Sequence, residues 1–236
     1  MNVSRETMEK IDFKIIAIDG PSGVGKSTIS GQIADRLGFY YVDTGAMFRC
    51  LAWNWGRHGS PENEDSFLKL GNQTEILLTQ KGVFCNGTDV THIIREEKIS
   101  KNASKISVFK SIREVMKKKQ RELVQNIRDS KEYQGAVLEG RDIGSVVFPK
   151  AEFKFFLDAT PEVRAKRRML QIHAKGGVAS FKEILESLNK RDYRDKNRKV
   201  APLKPAADAI IVDTGELNER QVLFNLLSYV KGCESS

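Results

Sequence analysis

The residue types and spacing that most sharply imply chemistry lie in Gly20-Pro21-Ser22-Gly23-Val24-Gly25-Lys26-Ser27, a G-x4-G-K-S run. Its glycines let the main chain wrap an anion with N–H groups pointing inward, and a helix beginning near Lys26 adds the positive end of its dipole. Lys26 would then reach the β- and γ-phosphates of a nucleoside triphosphate as a point charge. The Ser27 hydroxyl is the expected ligand to Mg²⁺, an ion that otherwise keeps mainly water and phosphate oxygens. The setting supports the motif. Phe13–Asp19 before it is a mostly apolar, β-branched run of the kind that forms a buried parallel strand, and Lys26–Leu37 after it has helical spacing. An accidental glycine-rich turn accounts poorly for such a placement. The loop alone leaves the phosphoryl acceptor open, because GTPases, ATPases and small-molecule kinases share it.

Three further clusters could supply that acceptor site. Asp43-Thr44-Gly45-Ala46-Met47-Phe48-Arg49 follows a second short strand, where an open parallel sheet delivers residues to its ligand crevice. Thr44 could hydrogen-bond an acceptor and Arg49 hold its phosphate, or Asp43 and Thr44 could simply cap the next helix. Glu139-Gly140-Arg141-Asp142-Ile143-Gly144-Ser145 sits at another strand end. Arg141 and Asp142 would be a surface ion pair of little consequence elsewhere, but between two glycines at that position Arg141 can clamp phosphoryl oxygens and Asp142 accept from an amine or hydroxyl. In Arg191-Asp192-Tyr193-Arg194-Asp195-Lys196-Asn197-Arg198, positions 191, 194/195 and 198 fall on one helical face. In isolation that is a solvated, salt-bridged face. Beside a phosphate loop, Arg191 and Arg198 become candidates for transition-state contacts from a lid that closes and excludes water.

These clusters need a scaffold, and the chain reads as one. Strands are expected at 13–19, 39–43, 136–139, 153–158 and 209–213, with helices between them and a closing helix from Asn218 to Val230: an α/β fold on five strands. Between Ser60 and Ser104 the alternation breaks into a short helix, Glu62–Leu70, and short strands around Asn86-Gly87, a hairpin signal. Val108–Arg128 resumes as a long basic helix. Pro161–Lys199 is helical and strongly basic around Gly176-Gly177, and reads as a mobile lid.

With 236 residues the chain can bury one sizeable core, and 40% apolar with 30% charged residues is ordinary for a soluble globular protein. No run approaches the ~18 apolar residues of a membrane span. Met1–Asp12 has no apolar leader, so a cytoplasmic location is expected. Cys50, Cys85 and Cys233 are scattered without zinc or disulfide spacing, and His58, His92 and His173 stand apart from every cluster. The net charge of +8 favours polyanionic partners without choosing between nucleic acid and phosphorylated small molecules.

Taken together, Gly20–Thr28, Asp43–Arg49, Gly140–Gly144, Arg191–Arg198, Asn102-Ala103-Ser104 and Val200-Ala201-Pro202-Leu203 closely resemble bacterial-type cytidylate kinases. The likeness runs in the family's order from about Ile15 to about Val230. It implies a three-layer P-loop fold with a five-stranded parallel sheet as the core (residues 11–60, 105–160 and 200–232). It also implies a nucleoside-monophosphate-binding insertion with a small antiparallel sheet (61–104) and a basic helical lid (161–199). Residues 1–10 and 233–236 are expected to be flexible termini. By the resemblance Gly20, Pro21, Ser22, Gly23, Val24, Gly25, Lys26, Ser27 and Thr28 bind ATP. Thr44, Ser104, Arg113 and Asp142 surround a cytosine; Arg49, Arg141 and Arg198 contact phosphate; Arg191 and Asp195 face the sugar. Lys26, Arg141, Arg191 and Arg198 are the candidate catalytic residues.

Cytosine presents an amine donor beside carbonyl and ring-nitrogen acceptors, so a carboxylate with Arg and hydroxyl groups can read its edge, whereas uracil would set an acceptor against Asp142. Three positions depart from the family's pattern: Thr44 where Ser is frequent, Phe48 where Tyr is common, and Glu139 where Asp usually precedes Gly-Arg-Asp. The expected reaction is in-line attack by a CMP or dCMP phosphate oxygen on the γ-phosphorus of ATP, with Mg²⁺ bridging donor phosphates. ATP and CMP or dCMP are the expected partners, with neither nucleic acid nor membrane, and a monomer is the default. The rivals are a P-loop kinase of another small phosphorylated acceptor and a nucleotide-dependent nucleic-acid-binding protein using the basic helices.

Overall fold

The apolar run read as the first strand is β1 (Lys14–Asp19), the middle strand of a five-stranded sheet in this computed structural model, which describes residues 13–59, 61–79, 81–174 and 176–232. The expected flexible termini, 1–10 and 233–236, and Cys233 lie outside the described residues. β1 splits its side chains by the strand period of two. Ile16 and Ile18 face one layer, with Ile29 and Ile33 of α1 (Lys26–Leu37) and Leu226 of α8 (Glu219–Gly232). Ala17 faces the other layer, with Met47 and Leu51 of α2 (Thr44–His58) and Met116 of α5 (Lys110–Ser130). Both faces of the sheet are therefore covered, as a parallel sheet requires.

The remaining strands are β2 (Tyr40–Asp43), β6 (Gly135–Gly140), β7 (Phe153–Asp158) and β8 (Ile210–Asp213), in the order β2-β6-β1-β7-β8, all parallel. The chain leaves β1 to form β2 on one flank and later crosses to β7 on the other, so the reversal of strand order falls at the carboxyl end of β1. That is where open α/β sheets bind ligands.

The segment that broke the alternation holds α3 (Glu64–Gln73) and an antiparallel sheet of β3 (Ile76–Thr79), β4 (Gly82–Cys85) and β5 (Thr88–Asp89). Asn86 (φ 48°) and Gly87 (φ 75°) make its tight turn, the backbone that an Asn-Gly pair accepts at little cost. An α-helix that escaped the sequence reading is α4 (Glu97–Ile106), whose Ser and Asn residues have middling propensity but whose Ile99, Ala103 and Ile106 line one buried stripe. Residue 104, the expected edge of the insertion, falls within it. The basic stretch is two helices, α6 (Pro161–Ala174) and α7 (Phe181–Asn197), joined over Ala165, Ile184 and Leu188. Among the described residues no helix is long and apolar enough to cross a membrane.

Candidate active site

After Asp19 the main chain turns through Gly20 (φ 148°), Gly23 (φ 80°) and Gly25 (φ 99°) before α1 begins. Gly20 is irreplaceable on two counts: its φ suits only glycine, and a Cβ there would lie 2.1 Å from the Leu157 carbonyl oxygen of β7. Lys26 is buried and its Nζ donates to the Pro21 carbonyl at 2.7 Å, so the ammonium curls over its own loop. Burial, and then the neighbouring Arg141 charge, hold its pKa well below the usual lysine range, while Glu139 and Asp19 pull the other way. Ser22 is gripped from α6 and α7: Arg164 donates to its carbonyl at 3.1 Å and Arg191 to its Oγ at 3.3 Å.

Parallel register aligns Asp19 with Gly140 and Asp43 with Glu139, so the carboxyl ends of β1, β2 and β6 form one ledge beside the loop. The Asp19 carboxylate accepts the N–H groups of Ile143 and Gly144, each at 2.8 Å, and so fixes the turn that follows Arg141 and Asp142. Burial lifts its pKa to about 6 against those two bonds. Glu139 accepts from the Tyr41 hydroxyl at 2.5 Å, and the Ser27 hydroxyl also bears on its carboxylate. Burial, then the nearby Asp43 charge, raises the Glu139 pKa. Thr44 is buried and donates to the Glu139 carbonyl at 2.6 Å, while Asp43 takes the cap position of α2 by accepting from Ala46 N at 2.9 Å. Asp43 also binds Arg49 at 2.9 Å and Arg95 at 3.0 Å.

Two residues beyond Gly140, Asp142 accepts from Arg113 at 2.5 Å and lies 3.6 Å from the Arg198 guanidinium. Phe48 lies under that Arg113, its ring centroid 5.6 Å from the guanidinium carbon, so an aromatic face without a phenol still supports the cation. Ser104 accepts from Arg194 at 2.7 Å. Asp195 collects Arg141 at 3.3 Å and, more distantly, Arg191 and Arg198 at 3.9 Å. Burial first and neighbouring arginines second lower the Arg191 and Arg198 pKa values to about 10, which leaves both charged at neutral pH. The buried Nε of Arg49, Arg113 and Arg191 and one terminal nitrogen of Arg198 have no hydrogen-bond partner among the described residues. A buried guanidinium donor left so costs on the order of 1–3 kcal/mol or more, and an anionic ligand rich in oxygens would recover it.

Hydrogen bonds and ion pairs thus link Ser22, Arg191, Asp195, Arg141, Arg198, Asp142 and Arg113 in one network, with Ser104 tied to it through Ser107 and with Thr44 and Arg49 at its Glu139 and Asp43 margin, whereas Val24 packs into the core beside Ile29 and Leu226 and Thr28 is exposed. Sequence reading gave Asp19, Tyr41, Arg95 and Arg164 no part in the site, and it placed Arg194 only on the shared face of the 191–198 helix without a partner. Asp19, a carboxylate ending an apolar run, was the one with a signal of its own. Fewer than three His, Cys, Asp or Glu side chains gather anywhere among the described residues as a metal-holding group. A single hydroxyl at the start of α1, with Glu139 beside it, fits Mg²⁺ held chiefly by phosphate and water.

Sheet order, phosphate loop and facing arginines make this a P-loop phosphotransferase of the small-molecule kinase class. The model of the cytidylate kinase family matches residues 16–232, and the chain belongs to that family. It is 41% identical over 225 residues to a cytidylate kinase of Nitratidesulfovibrio vulgaris, covering 93% of each chain. It is 43% identical over 222 residues to one of Geobacter sulfurreducens, covering 92% of each. Among solved structures, a shikimate kinase of Bacteroides thetaiotaomicron aligns over 94% of this chain and 99% of its own, with a TM-score of 0.47 at 10% identity.

Proposed function

We propose that the chain transfers the γ-phosphoryl group of ATP to CMP or dCMP, giving ADP and CDP or dCDP. The observation that carries the acceptor is the trio Ser104, Arg113 and Asp142: a hydroxyl, a guanidinium and a carboxylate, all buried, with Arg113 bonded directly to Asp142 and linked to Ser104 through the main chain and hydroxyl of Ser107. A carboxylate that accepts and an Arg that donates complement an edge with an amine beside acceptors, which is cytosine and not uracil. The loop 20–28 binds the donor phosphates, with Lys26 leaving the Pro21 carbonyl for them. Mg²⁺, held by Ser27 with Glu139 behind it, supplies neutralisation of the donor phosphates.

Arg49 and Arg141 hold the acceptor phosphate in line, and Arg191 and Arg198 carry their fixed charge to the equatorial oxygens as the transferring group develops charge. Asp195 orients Arg141 and faces the sugar. Thr44, its hydrogen committed to the Glu139 carbonyl, offers lone pairs to the base side. Core, insertion and lid divide as 11–60 with 105–160 and 200–232, 61–104, and 161–199, in a cytoplasmic monomer.

The test is a coupled ADP-release assay with MgATP and CMP, dCMP, UMP, AMP or GMP in turn, with Asp142→Ala in parallel. Fast turnover confined to CMP and dCMP, lowered at least ~100-fold in kcat/KM by Asp142→Ala, is expected. Fast turnover with another acceptor, or an unaffected Asp142→Ala variant, refutes the assignment.

A further inference from the structure

The trio assigned to the base does not stand alone. Ser107 Oγ donates to the Ser104 carbonyl at 3.0 Å, Arg113 donates to the Ser107 carbonyl at 3.2 Å, and Arg113 grips Asp142 at 2.5 Å. This run of bonds links α4, the start of α5 and the turn after β6, and its two ends are met by residues four apart in the chain. Arg194 of α7 donates to Ser104 Oγ at 2.7 Å, and Arg198, which terminates α7, lies 3.6 Å from Asp142. One helix of the basic lid thus holds the base-reading groups at both ends. Ser104 is only 5% exposed, so its hydroxyl has few other partners.

An Arg can only donate, so a serine oxygen that accepts from it keeps its own hydrogen for something else. We propose that Arg194 is a specificity-determining positioning residue. By occupying one of the two lone pairs of Ser104 it biases that hydroxyl to donate toward the acceptor base, and it thereby couples recognition of the base to the seating of α7. This rests on the cytosine reading of the trio. Donors at Ser104 and Arg113 beside an acceptor at Asp142 match an amine with two acceptors. Uracil brings a ring N–H and a second carbonyl, so it meets a donor and an acceptor in the wrong places. With Arg194 removed, the Ser104 hydroxyl can turn and accept from that ring N–H. The discrimination should then fall through a gain for UMP as well as a loss for CMP.

The experiment is a double-mutant cycle on the full chain, with Arg194→Met, Ser104→Ala and both together. CMP, UMP and MgADP affinities are measured by titration calorimetry, and thermal melting verifies folding. Arg194→Met is expected to weaken CMP about 10-fold, the size of one charge-assisted hydrogen bond. In the Ser104→Ala background the same change should cost less than about 2-fold. The CMP-to-UMP ratio should fall about 10-fold or more, and Arg194→Lys should recover part of it. Because no hydrogen bond of Ser104 or Arg194 among the described residues reaches the loop 20–28, MgADP affinity should hold. Equal losses for CMP and UMP, or additive effects of the two substitutions, overturn the proposal while leaving the cytosine reading intact. Failure of the unaltered chain to bind CMP in the same titration overturns both.

Discussion

Arg164 gives the sharpest test of how α6 and α7 are joined to the glycine-rich loop after β1. It is 2% exposed, and its guanidinium donates to the Ala159 carbonyl at 2.9 Å and the Ser22 carbonyl at 3.1 Å and pairs with Asp192 at 2.6 Å. Asp192 is itself 6% exposed, and its other oxygen has no hydrogen-bond partner among the described residues. Arg164→Met therefore strands a buried carboxylate and frees two carbonyls. Breaking a buried pair from one side costs ~3–5 kcal/mol. For a chain of this size each kcal/mol is worth roughly 2–4 °C, so about 4 kcal/mol lowers the melting temperature by about 8–16 °C. Replacing both partners, as Arg164→Met with Asp192→Leu, should restore most of that loss, because two apolar groups carry no desolvation debt. The Ser22 carbonyl still lacks its donor in the double variant, so MgATP affinity by calorimetry should stay about 5-fold weaker while stability recovers. An Arg164→Met protein within 1 kcal/mol of the parent, or a double variant no more stable than the single one, refutes the reasoning.

Three further outcomes test the ledge, the loop and α1. Asp19, lifted to about 6 by burial, holds its proton in the native state after an unfolded Asp near 3.8 has released it. Stability should therefore decline by about 3 kcal/mol as pH rises from about 4 to about 6, and this contribution should stay flat above. The difference between parent and Asp19→Asn in urea melts across that range isolates it. Gly20→Ala, with φ at 148° and the Leu157 oxygen at 2.1 Å, should cost about 3 kcal/mol or more in thermal melts. Gly31→Ala inside α1, where a Cβ meets nothing within 4 Å, should instead gain about 0.5–1 kcal/mol.

What could be read in advance was whatever local physics dictates. All five core strands announced themselves as short apolar runs, β-branched in β1 and β8 and aromatic in β2 and β7, because both sheet faces are covered, and α1 began at Lys26 because the glycines before it forbid helix. α4 was hidden because its buried stripe is only three apolar side chains, Ile99, Ala103 and Ile106, set among polar and charged ones. The second tier of the site was hidden for a different reason. Asp19 reaches Ile143 across 124 positions, and Arg194 reaches Ser104 across 90. Such pairs follow from the β1–β6 register and the seating of α7, which no window of sequence contains. Tyr41 is the clearest case. In sequence it is one more aromatic in a strand, yet pairing of β2 with β6 sets its hydroxyl on the Glu139 carboxylate.

The same register explains how one crevice can hold so many arginines without substrates. Asp43 neutralises Arg49 and Arg95, Asp142 neutralises Arg113 with Arg198 behind it, and Asp195 gathers Arg141 with Arg191 and Arg198 at the margin. Each carboxylate serves more than one cation, so charge is balanced only in part and several buried N–H groups keep no partner. Phosphate oxygens can complete that balance without first expelling a carboxylate, because the unused donors are already formed and already desolvated. On the proposed assignment, a site assembled this way needs little reorganisation as negative charge moves from one phosphate to the next, which is how preorganised charge lowers the barrier to phosphoryl transfer.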